Sequence, residues 1–392
     1  MGEPRRATVD AHSVAMTSLT IAFLLSFVAT GLLVRMSSRR SFAWHDHDLS
    51  GVQKFHARAV PRVGGLGVAV GLLGLSSWVT FTNQGPAQEL WLLCLCGFPA
   101  LLAGLLEDIT KRVGARWRLL ATMASGALAF FLLDAQLGGV EFPGLDWLMA
   151  FTAFSLAFTM VATGGVANAI NIIDGYNGLA AVVASVVLCS LAYVGWQVGD
   201  NLVVSVALGT TGALLGFFLW NWPRGMIFLG DGGAYFVGYL LATLSLLLVA
   251  RHPGVVSPWY PFLLCIYPVF ETFFSIWRKL VVRGGSPGVP DGLHLHMLVF
   301  RRLVRWAVGR KDAASLTLRN SLTAPYLWML SSLAALPATL WWRYPHALQA
   351  AVAVFCLIYV WLYMRLVRFR APRWMVLRSK RGGALSRFKD GI

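Results

Sequence analysis

Residues 179–198 read LAAVVASVVLCSLAYVGWQV, without a single charge, and after Gly199-Asp200-Asn201 the next run, 202–220, reads LVVSVALGTTGALLGFFLW. A helix rises about 1.5 Å per residue, so each run is long enough to cross the ~30 Å hydrocarbon layer of a bilayer. Only helices and closed barrels satisfy every backbone group in lipid, and unbroken apolar runs of this length imply helices. Comparable runs cover approximately 14–35, 64–82, 90–106, 117–133, 147–164, 233–250, 258–277, 323–342 and 346–365. The expected fold class is therefore all-α: a polytopic integral membrane protein of about eleven transmembrane helices, forming one multi-span domain over 1–366 with a basic tail at 367–392.

The bulk numbers agree. Of 392 residues, 57% are hydrophobic and only 13% charged, and mean hydropathy is +0.65, whereas a soluble domain carries about 25% charged residues. So few charges cannot cover a water-facing surface. The net charge of +16 would suit a nucleic-acid binder if the basic residues lined one soluble face. They flank apolar runs instead, which marks membrane orientation and contact with anionic lipid head groups, and argues against a nucleic-acid partner. Eleven spans put the two ends on opposite sides. The loops 36–63, 107–116, 165–178, 221–232 and 278–322, with the tail and the span ends beside them, hold 29 of the 33 Lys and Arg, leaving Arg5, Arg6, Arg251 and Arg343 on the other side. The first side is expected to be cytoplasmic and the N-terminus outside. The run at 14–35 is long enough to span, so it reads as the first helix rather than a cleaved leader. Cys94, Cys96, Cys189, Cys265 and Cys356 all lie within apolar runs and read as apolar packing residues.

With so few acids, their positions are informative. Glu89, Asp134, Glu141, Asp146 and Asp200 fall outside among turn residues and read as loop solvation. The inner acids sit at span ends in short glycine- and asparagine-rich loops. Glu107-Asp108 ends an apolar run and is followed by Lys111-Arg112; adjacent carboxylates repel unless a cation lies near them, and a hard dication takes one or two carboxylates plus phosphate oxygens. The plainer reading is a solvated helix end. Asn168 to Gly178, with Asn171, Asp174 and Asn177 but no Lys or Arg, suits a hydrogen-bonding loop that grips a nucleotide or sugar, or simply a helix-to-helix turn. Gly230-Asp231-Gly232-Gly233 opens a span, where free N–H groups meet a phosphate and Asp231 holds a metal, or where Asp231 is an ordinary helix cap. His294 and His296 suit phosphate contact or proton handling; a zinc site needs more ligands than this segment offers. Lys54, His56 and Arg62 lead into Gly64-Gly65, a basic approach to a helix start that suits an anion at the membrane surface, or else positive flanking with small-residue packing. Taken together, five such loops on one side of the membrane make a kit for binding a phosphorylated substrate through a divalent cation.

In order and wording these loops resemble the polyprenyl-phosphate N-acetylhexosamine-1-phosphate transferases (glycosyltransferase 4 family), a superfamily shared with phospho-N-acetylmuramoyl-pentapeptide transferase. The resemblance runs from about Lys54 to His296. It is most specific at Asn171-Ile172-Ile173-Asp174-Gly175-Tyr176-Asn177-Gly178-Leu179, and is repeated at Gly230-Asp231-Gly232-Gly233 and Pro61-Arg62-Val63-Gly64-Gly65. Two departures stand out. Glu107-Asp108 replaces the family's Asp-Asp, and His294-Leu295-His296-Met297 lacks the last histidine of its His-x-His-His.

The resemblance implies a bacterial inner-membrane enzyme with its active site on the cytoplasmic face. Its reaction would move a sugar 1-phosphate from a UDP-sugar to undecaprenyl phosphate, releasing UMP and starting a surface polysaccharide such as O-antigen. It implies Mg²⁺ (or Mn²⁺) on Asp231 and Asp108, with Glu107 or Asp108 taking any residual proton. Asp174 would hold metal or orient the sugar phosphate. Asn171 and Asn177 would grip the nucleotide, and Arg62, His294 and His296, with Lys54, His56 and Lys111, would meet phosphate charge. A direct and a two-step route both stay open. The rival from another class is a transporter or lipid flippase, which would place its charges at mid-membrane; Glu271 is the main charge inside a span.

Overall fold

The computed structural model describes residues 4–39, 60–83, 85–282, 284, 292–304, 313–369 and 375. Lys54 and His56, and nearly all of the basic tail, lie outside the described residues. The described chain is helical throughout, from α1 (Pro4–Arg39), α2 (Gly64–Thr82), α3 (Ala87–Thr110) and α4 (Ala115–Leu133) to α5 (Leu145–Met149), α6 (Thr152–Ile173), α7 (Leu179–Val198) and α8 (Asn201–Asn221). The order continues with α9 (Gly230–Arg251), α10 (Trp259–Leu264), α11 (Ile266–Trp277), α12 (Leu295–Arg302), α13 (Ala313–Leu340) and α14 (Pro345–Val367).

Nine helices among the described residues are long and apolar enough to cross a membrane: α1, α2, α3, α4, α6, α7, α8, α9 and α14. The other two expected spans take a different form. The run at 258–277 is two helices meeting at Cys265, and the run at 323–342 lies mostly within α13, which carries Pro325 and Pro337. Two span ends also move. α3 continues to Thr110 and α6 to Ile173, so Glu107, Asp108, Asn168 and Asn171 are on final helical turns rather than in loops. Polar residues continue these helices because the faces they share meet protein rather than lipid.

That protein is α9. Each of its residues from Gly230 to Val249 is buried. Glycines on its neighbours let them approach to backbone distance. A Cβ on Gly65 of α2 would lie 2.3 Å from Gly233 Cα, and one on Gly104 of α3 would lie 2.4 Å from Gly232 N. α6 comes equally close, since a Cβ on Gly238 would lie 2.4 Å from Ala167 Cα. Interfaces between helices in lipid are built from such small residues, because close packing rather than burial from water holds them. At the opposite end of the bundle two of the acids are fixed rather than solvating. Asp200 caps α8 through Val203 N (3.0 Å) with Arg251 Nη1 3.6 Å away, and Asp146 accepts from Val140 N at 2.6 Å.

Candidate active site

The end of the bundle holding the starts of α2, α4 and α9 and the ends of α3 and α6 gathers the acidic motifs. Backbone hydrogen bonds tie the entry to α2 against the entry to α9: Phe228 N donates to Pro61 O, Gly64 N to Phe228 O and Gly65 N to Leu229 O, each at 2.9 Å. This clamp sets Arg62 directly above the first turn of α9. Gly230 has φ +77°, and a Cβ there would lie 2.0 Å from Arg62 O, so only glycine fits at that crossing.

Asp231 is the second residue of α9. It does not cap its helix, so the plainer reading of that motif fails. Its carboxylate is gripped from three directions: Arg62 Nη2 donates to Oδ1 at 3.1 Å, Asn171 Nδ2 donates to the same oxygen at 3.1 Å, and Arg118 Nη1 donates to Oδ2. Tyr235, one turn further along α9, donates its hydroxyl to Asn171 Oδ1 at 3.4 Å, and its ring lies 5.9 Å from the Arg118 guanidinium. Asp108 joins from the end of α3. Its Oδ2 accepts the Gly232 N–H at 3.0 Å; its buried Oδ1 accepts no hydrogen bond and faces Arg62 Nε at 3.5 Å. Asp174, at the C-cap of α6, accepts the Gly230 N–H. Burial pushes its carboxyl well above the usual carboxylate range, opposed by the Arg62 charge and that N–H and reinforced by Asp108. Two aspartates from two helix ends thus share one arginine, and Asp174 lies near enough to feel its charge.

Several expected residues stand elsewhere. Successive side chains on a helix point about 100° apart, so Glu107 turns away from Asp231 and its Oε2 accepts the Val113 N–H at 2.8 Å. Lys111 is the exposed left-handed C-cap of α3. Asn177 has its partners within the protein. It is buried and fastens loops together, with its Nδ2 donating to Ser321 Oγ at 3.2 Å and Pro223 O at 3.3 Å and its backbone N to Asn320 Oδ1 at 2.7 Å. The histidines also differ from expectation. Their rings stack with centroids 5.2 Å apart and 4° from parallel. His294 Nδ1 pairs with Glu271 at 2.9 Å, and Glu271 further accepts Leu295 N at 3.1 Å and Tyr359 OH at 2.7 Å. His296 is buried against the edge of Tyr176, its Nδ1 without a partner. Burial pulls it down to about 3, with Glu271 opposing and His294 adding to the fall. The same burial favours the neutral ring.

Sequence reasoning missed two participants. Arg118 reads in sequence as one more basic residue at a span end, and Glu271 as a charge inside a span. The signal for Arg118 lay in its position three residues into a helix opened by Gly114, opposite the acidic end of α3; no spacing rule links it to Asp231, 113 residues away.

A family model described as glycosyl transferase family 4 matches residues 90–249. The decaprenyl-phosphate N-acetylglucosaminephosphotransferase of Mycobacterium leprae is 30% identical over 74% of this chain and 78% of its own length. The chain belongs to glycosyl transferase family 4. A probable undecaprenyl-phosphate N-acetylglucosaminyl 1-phosphate transferase of Bacillus subtilis is 26% identical over 72% of the chain and 77% of its own length. A phospho-N-acetylmuramoyl-pentapeptide-transferase of Geobacillus kaustophilus is 24% identical over 60% and 76%. The family match spans the segment from α3 to α9, which supplies Asp108, Arg118, Asn171, Asp174 and Asp231; Arg62 and the histidine pair lie outside it. All three are phosphosugar transferases by name, and the Mycobacterium leprae and Bacillus subtilis relatives are named for a polyprenyl phosphate.

The site fits a magnesium ion better than a zinc ion. Among the described residues no three His, Cys, Asp or Glu side chains gather to hold a metal, as zinc requires. Mg²⁺ needs only one or two carboxylates plus substrate phosphates. Asp108, with one buried oxygen accepting no hydrogen bond, and Asp231, beside it on the same arginine, are such a pair.

Proposed function

We propose that this chain transfers a sugar 1-phosphate, from an N-acetylhexosamine or deoxy-amino sugar, from a UDP-sugar to undecaprenyl phosphate. The reaction yields undecaprenyl-diphosphate-sugar and UMP and starts a cell-surface polysaccharide such as O-antigen. The enzyme is a multi-pass protein of the bacterial inner membrane that works at the cytoplasmic face. The relatives' N-acetylglucosamine acceptance makes that sugar the first to test. One observation carries the reading: Asp231 and Asp108, from separate helix ends, share Arg62, with Arg118 on Asp231 and the first-turn Gly232 N–H of α9 on Asp108. A flippase has no use for that gathering, and it needs charges at mid-membrane; Glu271 is instead sealed by His294 and Tyr359.

In the reaction an oxygen of the lipid phosphate forms a bond to the β-phosphorus of the donor, and the bond from that phosphorus to the bridging oxygen breaks, releasing UMP. Asp231 and Asp108 would hold Mg²⁺, which would supply charge neutralisation for the diphosphate. Arg62 stands between both carboxylates and offers its guanidinium to phosphate oxygens. Asn171 fixes the Asp231 carboxylate while Tyr235 fixes Asn171. Asp174, beside Asp108 and within reach of the Arg62 charge, orients the sugar phosphate. The lipid phosphate is mostly dianionic near pH 7, so little base help is required.

The test is to incubate the purified chain with undecaprenyl phosphate, Mg²⁺ and a panel of UDP-sugars and to measure UMP. A donor in the panel should release UMP in proportion to lipid, and Asp231→Asn should remove that release while the protein stays folded in detergent. UMP release independent of the lipid acceptor would sink the proposal.

A further inference from the structure

Asp231 presents a difficulty for any metal that would bind it. A carboxylate has about four lone-pair sites, and here Oδ1 already serves Arg62 and Asn171 while Oδ2 serves Arg118. Two guanidinium charges sit on the oxygens a divalent cation would take. Arg62 is shared with Asp108 and locked by the Pro61–Gly65 clamp. Arg118 is held differently. It rises from the first turn of α4, next to exposed Arg116 and Trp117. One side of its fork bonds Asp231, while its Nε is buried with no hydrogen-bond partner. A buried guanidinium N–H without an acceptor is costly, and the Nε/Nη edge of arginine matches two phosphate oxygens at once.

We propose that Arg118 is a counter-ion that changes partners: it occupies Asp231 before substrate arrives, yields that carboxylate to the divalent cation, and then uses its vacant Nε edge to hold the donor diphosphate. The inference rests on the transferase reading and deepens it, by giving the site a cation that competes with the metal and cooperates with the nucleotide. The charge balance favours the exchange. Two arginines neutralise Asp108 and Asp231 in the resting site, so adding a dication without moving an arginine crowds four positive charges around two negative ones. An incoming diphosphate restores the balance and gives Arg118 a new acceptor. Tyr235, whose ring lies 5.9 Å from the Arg118 guanidinium, offers a π-face to the guanidinium in the resting position.

The experiment measures metal binding without turnover. Free Mn²⁺ is followed by electron paramagnetic resonance on the full chain in detergent, for wild type, Arg118→Gln, Arg118→Lys and Asp231→Asn, alone and with UDP. Arg118→Gln should bind Mn²⁺ about ten-fold more tightly than wild type in the absence of nucleotide, yet bind UDP at least about ten-fold more weakly once Mn²⁺ is present. Arg118→Lys keeps the charge but loses the fork, so its Mn²⁺ affinity should stay near wild type while UDP binding remains weak. Arg118→Gln that melts like wild type but binds Mn²⁺ no more tightly overturns the exchange. If Arg118→Gln does not fold, Arg118→Lys decides: UDP binding equal to wild type overturns the proposal. Wild type and Asp231→Asn binding Mn²⁺ equally would instead sink the metal reading on which the proposal stands.

Discussion

Two buried polar clusters lie near the same end of this molecule, and they are built on opposite plans. Around Asp231 the partners are two partly exposed arginines and the Asn171 amide, from three separate segments. Around Glu271 the partners are His294, the Leu295 N–H and the Tyr359 hydroxyl, all sealed from solvent, with the stacked His296 ring held neutral beside them. The first arrangement can lose a partner and gain another, because a freed guanidinium reaches water or phosphate. The second cannot, because each group released there stays buried and unpaired, at about 1–3 kcal/mol apiece. One cluster is suited to chemistry and the other to holding the turn at Gly175-Tyr176, which lies next to Asp174, against α12.

The sharpest way to break this contrast is at its two central acids. Asp231→Asn should lower the UMP-releasing rate by about 10³ or more with little change in melting temperature, because the amide still fills the same space. Glu271→Ala should do the reverse first, costing about 3–5 kcal/mol of stability and lowering activity in step with the folded fraction; a full loss of rate in a Glu271→Ala protein that melts normally would place Glu271 in the chemistry. A smaller effect separates the adjacent acids of α3. Asp108→Asn should cost about 10² in rate, whereas Glu107→Gln, whose carboxylate serves only Val113 N–H, should cost less than about ten-fold. Equal losses at the two positions would mean that Glu107 swings inward when substrate binds.

The smallest expected effect is a pH dependence of stability. His296 in the folded chain is pulled down to about 3, below its ordinary value near 6.5. Between these values the unfolded chain binds a proton that the folded chain refuses, so folding stability from this group is complete above about 6.5 and is lost as pH falls toward 3. Melting temperature should therefore drop between pH 7 and pH 5 in wild type, and drop less in His296→Phe, as differential scanning fluorimetry in detergent would show. Equal slopes would mean that the ring is hydrated.

Much of this was legible without coordinates. The runs at 179–198 and 202–220 read directly as spans because lipid imposes a length and forbids charge. The acidic loops were legible because the chain holds only 17 Asp and Glu. The central place of α9 was not: a helix buried in protein and one facing lipid are equally apolar, so composition does not separate them. Nor did the run at 258–277 announce its break at Cys265, or α6 its continuation through Asn168 and Asn171. Asn177 illustrates a different failure. The turn chemistry was right, but which side of the turn meets the ligand depends on Ser321 and Asn320, about 143 residues on.

By itself, the sequence determined the membrane setting, the helical class, the approximate spans and the family, since each follows from local composition or short motifs. The tertiary structure decided which of two neighbouring acids faces the site, that Arg118 belongs to it, that Asn177 and His296 are turned inward, and that Glu271 is a buried anchor. The physical reason is that a rotation of about 100° per helical residue and contacts between distant segments assign each side chain its partner, and neither can be read along the chain.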